Sequence, residues 1–530
     1  MTLPTVVANF SLVIASSAAT CQSMHGLPRF ARSDACRFMA RMQFCRLKIS
    51  ALAFLVAWFM LSATAHAGTQ ELKPCRVPGI KTEVQCGVLS RALDPAQPAG
   101  VRIDVHYVVV PALARRKKPD PVFFLAGGPG QSAIKVAPML LQQFARLNHR
   151  RDLVFVDQRG TGRSAPLLCE DLRHSTLAQQ LDNGLREVSM AQCLVELKKL
   201  PYGDLRYFTT LLAMQDLDAV REKLGASQIN LIGASYGTRA ALEYMRQFPT
   251  ALRRSVLDGV APPDMVLPLS FSGDGQAALE ALLLACEKES ACQKLHPALR
   301  QHWGQLLASL PQTVPAKHPF SGRSESLSIT REMVLGLIRG PLYWPPLASA
   351  LPFAIDQAAL GRWDALLGLG FSAQPPRAAD LAMGMHFSVV CAEDFPRIKM
   401  SAEQQGRDFG DSLGRSYEHI CADWPRADMP AKFYSIPGAS SAVLLLSGGL
   451  DPVTPPRHAH RVAQALGAKA KHVVVAHAGH GIMTLPCMRD ALPRFIDAED
   501  DAQAAALDFA CASRIPRPPV FVPVLQGGAP

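Results

Sequence analysis

From about Cys75 onward, short apolar runs alternate with amphipathic stretches. Val101 to Val110 alternates polar and apolar positions and then turns wholly apolar, which predicts an early strand. Pro121 to Ala126 and Asp152 to Asp157 are short apolar runs that end in polar loops. Such runs suit parallel strands covered on both faces. Asp216 to Leu224 reads as an amphipathic helix leading into the apolar run Asn230-Leu231-Ile232, and Ser255 to Val260 reads as a further strand. This rhythm predicts an α/β fold around a mostly parallel, doubly wound sheet. The rhythm stops after Pro262-Pro263, and the pattern is mainly helical as far as about Pro430. Ala277 to Cys286, Met333 to Arg339, Pro346 to Leu360 and Arg362 to Leu369 are its helical stretches, and a polar Pro/Ser segment from Pro311 to Ser326 interrupts them. Strands resume at Ala442 to Ser447 and at His472 to Ala476.

The organisation that follows has five parts. Residues 1–67 are a leader, 68–261 the first part of a sheet core, and 262–430 a helical cap inserted in it. Residues 431–515 are the second part of the core, and 516–530 a Pro/Gly-rich tail. Within the leader, Arg46-Leu47-Lys48, the apolar run Ile49 to Ser62 and Ala65-His66-Ala67 have the form of a signal peptide spanning about 42–67. The run is shorter than the roughly 20 apolar residues of a spanning helix. A secreted or periplasmic protein with no stable membrane span after cleavage is therefore expected.

Charge adds little. The formal net charge is +11, but residues 1–67 hold six basic side chains and one acid, so the remainder carries about +6. Its basic residues are scattered, and Arg115-Arg116-Lys117-Lys118 reads as a solvated turn, so no nucleic-acid partner is expected. Of thirteen cysteines, ten follow the leader. An even count in an exported chain suggests disulfides, and close spacing favours the pairs 75–86, 169–193, 286–292, 391–421 and 487–511. No C-x-x-C pair or H-E-x-x-H is present, and neither a metal nor a cofactor is expected.

The chemistry concentrates at Gly233-Ala234-Ser235-Tyr236-Gly237, which follows an apolar strand and precedes a helix-forming stretch. A serine held in a sharp strand-to-helix turn needs small residues two positions before and after it, and Gly233 and Gly237 supply them. A serine hydroxyl needs a base, and the base needs an orienting carboxylate. Asp451 stands just past the strand at 442–447, and His480 stands between glycines after the next strand. Ser235 is assigned as nucleophile, His480 as general base and acid, and Asp451 as orienting acid, with Asp258 the rival acid and His477 a local structural residue. The backbone N–H groups of Tyr236 and Gly128 are the expected oxyanion donors, with Gly130 the second choice in that loop; Pro129 has no N–H and cannot donate. The loop Asp157 to Ser164 is expected to support the site rather than act in it.

Taken together, Gly-Gly-Pro-Gly at 127–130, Asp-Gln-Arg-Gly-Thr-Gly-Arg-Ser at 157–164, Gly-Ala-Ser-Tyr-Gly-Thr at 233–238, Leu-Asp-Gly-Val at 257–260 and Asp-Pro-Val-Thr-Pro at 451–455 resemble the prolyl and tripeptidyl aminopeptidase group of α/β-hydrolases. The similarity runs over roughly residues 75–515 and is greatest to the exported branch. One departure is Ala126, where many relatives carry His. The resemblance implies the α/β-hydrolase fold, places Ser235, Asp451 and His480 on the family's triad positions, and implies a peptide substrate with a free N-terminus. Recognition of its ammonium calls for a carboxylate. Glu393 and Asp394 are the candidates, a buried structural salt bridge being the other reading of the same pair. An esterase or lipase-like hydrolase with the same triad is the alternative activity.

Overall fold

The chain divides at Glu71 into two units. The structure, a computed structural model, describes residues 72–523 apart from 171, 173–174, 374–380 and 401–404. The expected leader, its signal sequence and the end of the tail at 524–530 lie outside the described residues.

Among the described residues, nine strands form one sheet. They are β1 (Lys73–Cys75), β2 (Val84–Ala92), β3 (Arg102–Val110), β4 (Val122–Leu125), β5 (Leu153–Val156), β6 (Ile229–Ala234), β7 (Leu252–Asp258) and, far along the chain, β10 (Val443–Gly448) and β11 (Ala470–Val475). Their order is β1-β2-β3-β5-β4-β6-β7-β10-β11. The first three strands and the β3–β5 pair run antiparallel, and every pairing from β5 across to β11 is parallel. The fully buried runs β4 and β5 take central places because both of their faces are covered. Phe124 packs into one core layer with Phe155 and Phe495, while Phe123 and Leu125 pack into the other with Tyr244 and Leu445.

Among the described residues, five disulfides join Cys75–Cys86, Cys169–Cys193, Cys286–Cys292, Cys391–Cys421 and Cys487–Cys511, the pairs that close spacing favours.

The helices that matter to the site are α1 (Asn183–Leu197), α2 (Thr210–Lys223) and α3 (Tyr236–Gln247), then α4 (Ser270–Lys288), α5 (Arg331–Leu342), α6 (Met383–Glu393) and α7 (Ser412–Ala422). The last four belong to the insertion between β7 and β10, which has its own apolar centre around Trp303, Trp363 and Phe371. The polar segment at 311–326 does more than interrupt these helices. It enters the antiparallel hairpin β8 (Gln312–Lys317) and β9 (Ser324–Ile329). Each of these strands buries only two side chains, Val314 and Ala316 or Leu327 and Ile329, so polar positions dominate its pattern.

Candidate active site

Ser235 joins β6 to α3 with φ +55° and ψ −123°, a conformation that L-residues avoid unless their surroundings fix it. The surroundings do so here. A Cβ at Gly233 would meet the Gly237 carbonyl oxygen at 2.5 Å, and one at Gly237 would meet the Leu125 carbonyl oxygen at 2.2 Å. No larger residue fits either position. The Ser235 N–H donates to the Asp258 carbonyl at 2.8 Å, which ties the turn to the end of β7.

Asp451 follows β10 and His480 follows β11, so both stand at the same edge of the sheet as Ser235. His480 Nδ1 lies 2.8 Å from Asp451 Oδ2. Asp451 is wholly buried, and its Oδ1 accepts the N–H groups of Val453 and Thr454 at 2.9 and 2.8 Å. Burial raises the Asp451 pKa, but the His480 charge and these donors outweigh it and leave the carboxyl below its ordinary value. Burial pulls the His480 pKa down. The attraction and hydrogen bond of Asp451, with a contribution from Asp258, more than reverse that and leave it above the ordinary histidine value. With Nδ1–H directed at a carboxylate, the neutral ring keeps its lone pair on Nε2.

Thr454 completes the pair. Its hydroxyl donates to Asp451 Oδ2 at 2.8 Å, and its oxygen lies 3.0 Å from His480 Nδ1. The sequence reading passed over this residue. The Asp-x-x-Thr spacing of a side-chain-capped turn was the signal that marks it.

Asp258, the rival acid, receives the N–H groups of Ile482 and Met483 at 2.9 and 2.8 Å, so it braces the loop after His480 rather than its ring. Burial pushes its pKa up to about 6. His477 is exposed on the surface.

The Gly127–Gly130 loop lies against the serine, since a Cβ at Gly127 would stand 3.2 Å from Ser235 Cβ. Tyr236 opens α3, where the first N–H groups of a helix have no partner within it. Gly127 and Tyr236 thus meet Ser235 from two sides. A buried histidine that the sequence reading did not single out, His386 on α6, holds this loop. Its Nδ1 meets the Pro129 carbonyl at 3.1 Å and its Nε2 meets the Tyr417 hydroxyl at 2.8 Å. Burial depresses its pKa to about 4, so it is a neutral strut that donates from Nδ1 and accepts at Nε2.

Glu393 and Asp394 do not open onto the cleft. Both are wholly buried where α6 meets α3. Asp394 takes Arg239 Nη1 at 2.9 Å and the Leu267 N–H at 3.0 Å. Glu393 accepts the N–H and hydroxyl of Thr210 at 2.7 and 2.9 Å, and that hydroxyl also meets the Tyr236 hydroxyl at 2.7 Å. Arg239 stands 3.7 Å from Glu393, farther than from Asp394, and burial pushes the Glu393 pKa up to about 7. Of the two readings of this acid pair, the geometry favours the buried salt bridge, because their oxygens are already spent on internal donors.

The loop 157–164 is equally closed. Arg159 forks onto Asp216 of α2 at 2.8 and 3.0 Å, and Asp157 holds Ser132 at 2.6 Å.

The insertion also reaches the histidine. The Tyr343 carbonyl accepts the His480 N–H at 2.9 Å, and the two rings meet edge to face at 5.1 Å.

Comparison with known proteins agrees with this architecture. Residues 120–331 match the family described as alpha/beta hydrolase fold, and residues 406–503 match the family described as TAP-like protein. The serine protease Hip1 of Mycobacterium tuberculosis is 27% identical over 42% of this chain and 46% of its own. The tripeptidyl aminopeptidase of Streptomyces lividans is 30% identical over 34% of this chain and 36% of its own. Both matches span less than half of the relative's length. Carboxylesterase B of M. tuberculosis is 25% identical over 76% of this chain and 80% of its own.

Proposed function

We propose that this chain, an α/β-hydrolase with a TAP-like C-terminal region, is an exported serine aminopeptidase of the prolyl or tripeptidyl type. The observation that carries the reading is the strained Ser235 elbow at the same sheet edge as the Asp451–His480 pair, with the Gly127–Gly130 loop packed against it. Ser235 Oγ attacks the carbonyl carbon of the scissile bond and passes its proton to His480 Nε2. The N–H groups of Tyr236 and Gly128 receive the oxyanion. His480 then protonates the departing amine, and in the second half-reaction it takes a proton from the water that hydrolyses the acyl-enzyme. Asp451 keeps Nδ1 protonated and the imidazolium stabilised throughout. The names of Hip1 and of the Streptomyces enzyme support peptides as the substrate class. Five disulfides support work outside the reducing cytosol. Among the described residues no helix is long and apolar enough to cross a membrane.

A carboxylesterase is the second reading, favoured by the longer match to Carboxylesterase B. The test is turnover of Pro-, Ala- and Ala-Ala-Pro-anilides, free and N-acetylated, beside a p-nitrophenyl ester. The aminopeptidase reading expects the free peptides to be cleaved and the acetylated ones to be poor substrates. Equal turnover of the two forms contradicts it, and a clear preference for the simple ester moves the assignment to the second reading.

A further inference from the structure

Beside the site lies a cavity of about 570 Å³ between α1, α5 and the segment around α7. Tyr343, whose ring packs on His480, forms part of its wall, so the cavity adjoins the catalytic histidine. The lining mixes apolar side chains, Met333, Leu337 and Phe371 among them, with polar and charged ones. Four cations stand in this wall: Arg415 is taken up by Asp411 and Lys399 is exposed, whereas Arg186 lies in the first turns of α1 and Arg339 in the last turn of α5.

The fully buried arginines bring their own acid: Arg151 has Asp120, Arg159 has Asp216, and Arg239 has Asp394. Arg186 and Arg339 bring none among the described residues. Among the described residues Arg186 donates only to the Gln180 carbonyl, and Arg339 has neither a hydrogen bond nor an ion pair. Both are half-buried. Burial depresses the Arg186 pKa, Tyr417 acts against this, the charge of Arg339 adds to it and Asp182 opposes it, and both arginine charges act on Tyr417. The acids on the same wall do not neutralise the pair. Asp411 is engaged by Arg415, Glu332 is exposed, and Glu418 forms no ion pair with either arginine. Holding two like charges in the wall of one half-enclosed space costs free energy that an anionic guest returns. A guanidinium pair suits a carboxylate above other groups a peptide carries, because its fork of N–H donors matches the two oxygens.

We propose that this cavity is a substrate subsite in which Arg186 and Arg339 bind a carboxylate of the peptide, either its C-terminus or an acidic side chain. The proposal rests on the peptidase reading above and deepens it, turning a general peptide pocket into one selective for negative charge on the substrate. Tyr417, next to the lining residue Glu418 in the chain, is linked through His386 to Pro129 of the Gly127–Gly130 loop.

Equilibrium binding to the Ser235→Ala protein tests this without any turnover. Titration calorimetry compares Ala-Ala-Ala with its C-terminal amide, and Ala-Glu-Ala-amide with Ala-Gln-Ala-amide. In at least one pair the acid binds roughly ten- to a hundredfold tighter, the range for a charge-assisted hydrogen-bonding site. The responding pair identifies which carboxylate is read. Adding Arg339→Gln brings that ratio close to one, and Arg339→Lys, which keeps the charge and loses the fork, gives an intermediate ratio. Equal binding within both pairs overturns the proposal, and so does an acid preference that survives Arg339→Gln. Failure of the parent protein to react with a serine-directed probe would strike the hydrolase reading alone, since the binding ratios do not depend on reaction.

Discussion

At the scale of single residues, the proposed mechanism makes the protonation of His480 decide when the site works. Only the neutral ring can accept the Ser235 proton, and Asp451 holds its pKa above the ordinary value. Activity should therefore fall as pH drops, through a midpoint above the roughly 6.5 of an unperturbed histidine. Asp451 has its pKa lowered, so it stays ionised across that limb. In Asp451→Asn the attraction that raises His480 is gone. The midpoint of kcat/KM should move to lower pH while kcat falls by about 10⁴-fold. A pH–rate profile of both proteins checks this, and an unmoved midpoint contradicts the assignment of Asp451 as the orienting acid. The sequence carries Ser235, Asp451 and His480 plainly, because each follows a strand end and is flanked by small or turn-forming residues. Thr454, His386 and Tyr417 are harder to read. Their roles depend on which backbone or ring they meet in space, and a histidine inside Met383–Glu393 looks like any buried helix residue.

At the scale of elements, the insertion and the sheet are fastened together around α3. Arg239 of that helix also donates to the Met265 carbonyl at 2.8 Å, so one side chain ties the elbow helix to the end of α6 and to the chain leaving β7. Removing Asp394 would leave the Arg239 charge buried with Glu393 as its only acid and the Leu267 N–H without an acceptor. Asp394→Ala should cost about 3–5 kcal/mol. Urea unfolding of the parent and the variant measures it, and a loss below about 1 kcal/mol, the size of an exposed pair, would contradict this fastening. The elements themselves were unevenly legible. Short apolar runs gave away β4, β5, β6 and β10, since strands buried on both faces need no polar positions. The β8–β9 hairpin and β2 were not visible, because half-exposed strands with polar or small residues between their few buried side chains carry little periodic signal. Glu393 and Asp394 illustrate the same limit, since an acid pair after an apolar helix suits an ammonium site and a buried arginine equally well.

At the scale of the whole molecule, the site exists only when three distant parts of the chain are brought to one sheet edge. The order Ser, Asp, His along the chain becomes adjacency because β7 pairs with β10 across the entire helical insertion. The five disulfides each close a short stretch, the longest separation being 30 residues, so none of them spans that insertion. What holds the two halves of the core together is the parallel pairing and the buried side chains around it. The reactivity proposed for Ser235 would thus be a property of the complete fold. The most direct measurement is mass-spectrometric mapping of a fluorophosphonate probe on the native protein. The account predicts a single covalent adduct on Ser235, absent in Ser235→Ala and absent when the parent is unfolded before exposure. No adduct on the native parent, or an equal adduct in Ser235→Ala, would contradict it.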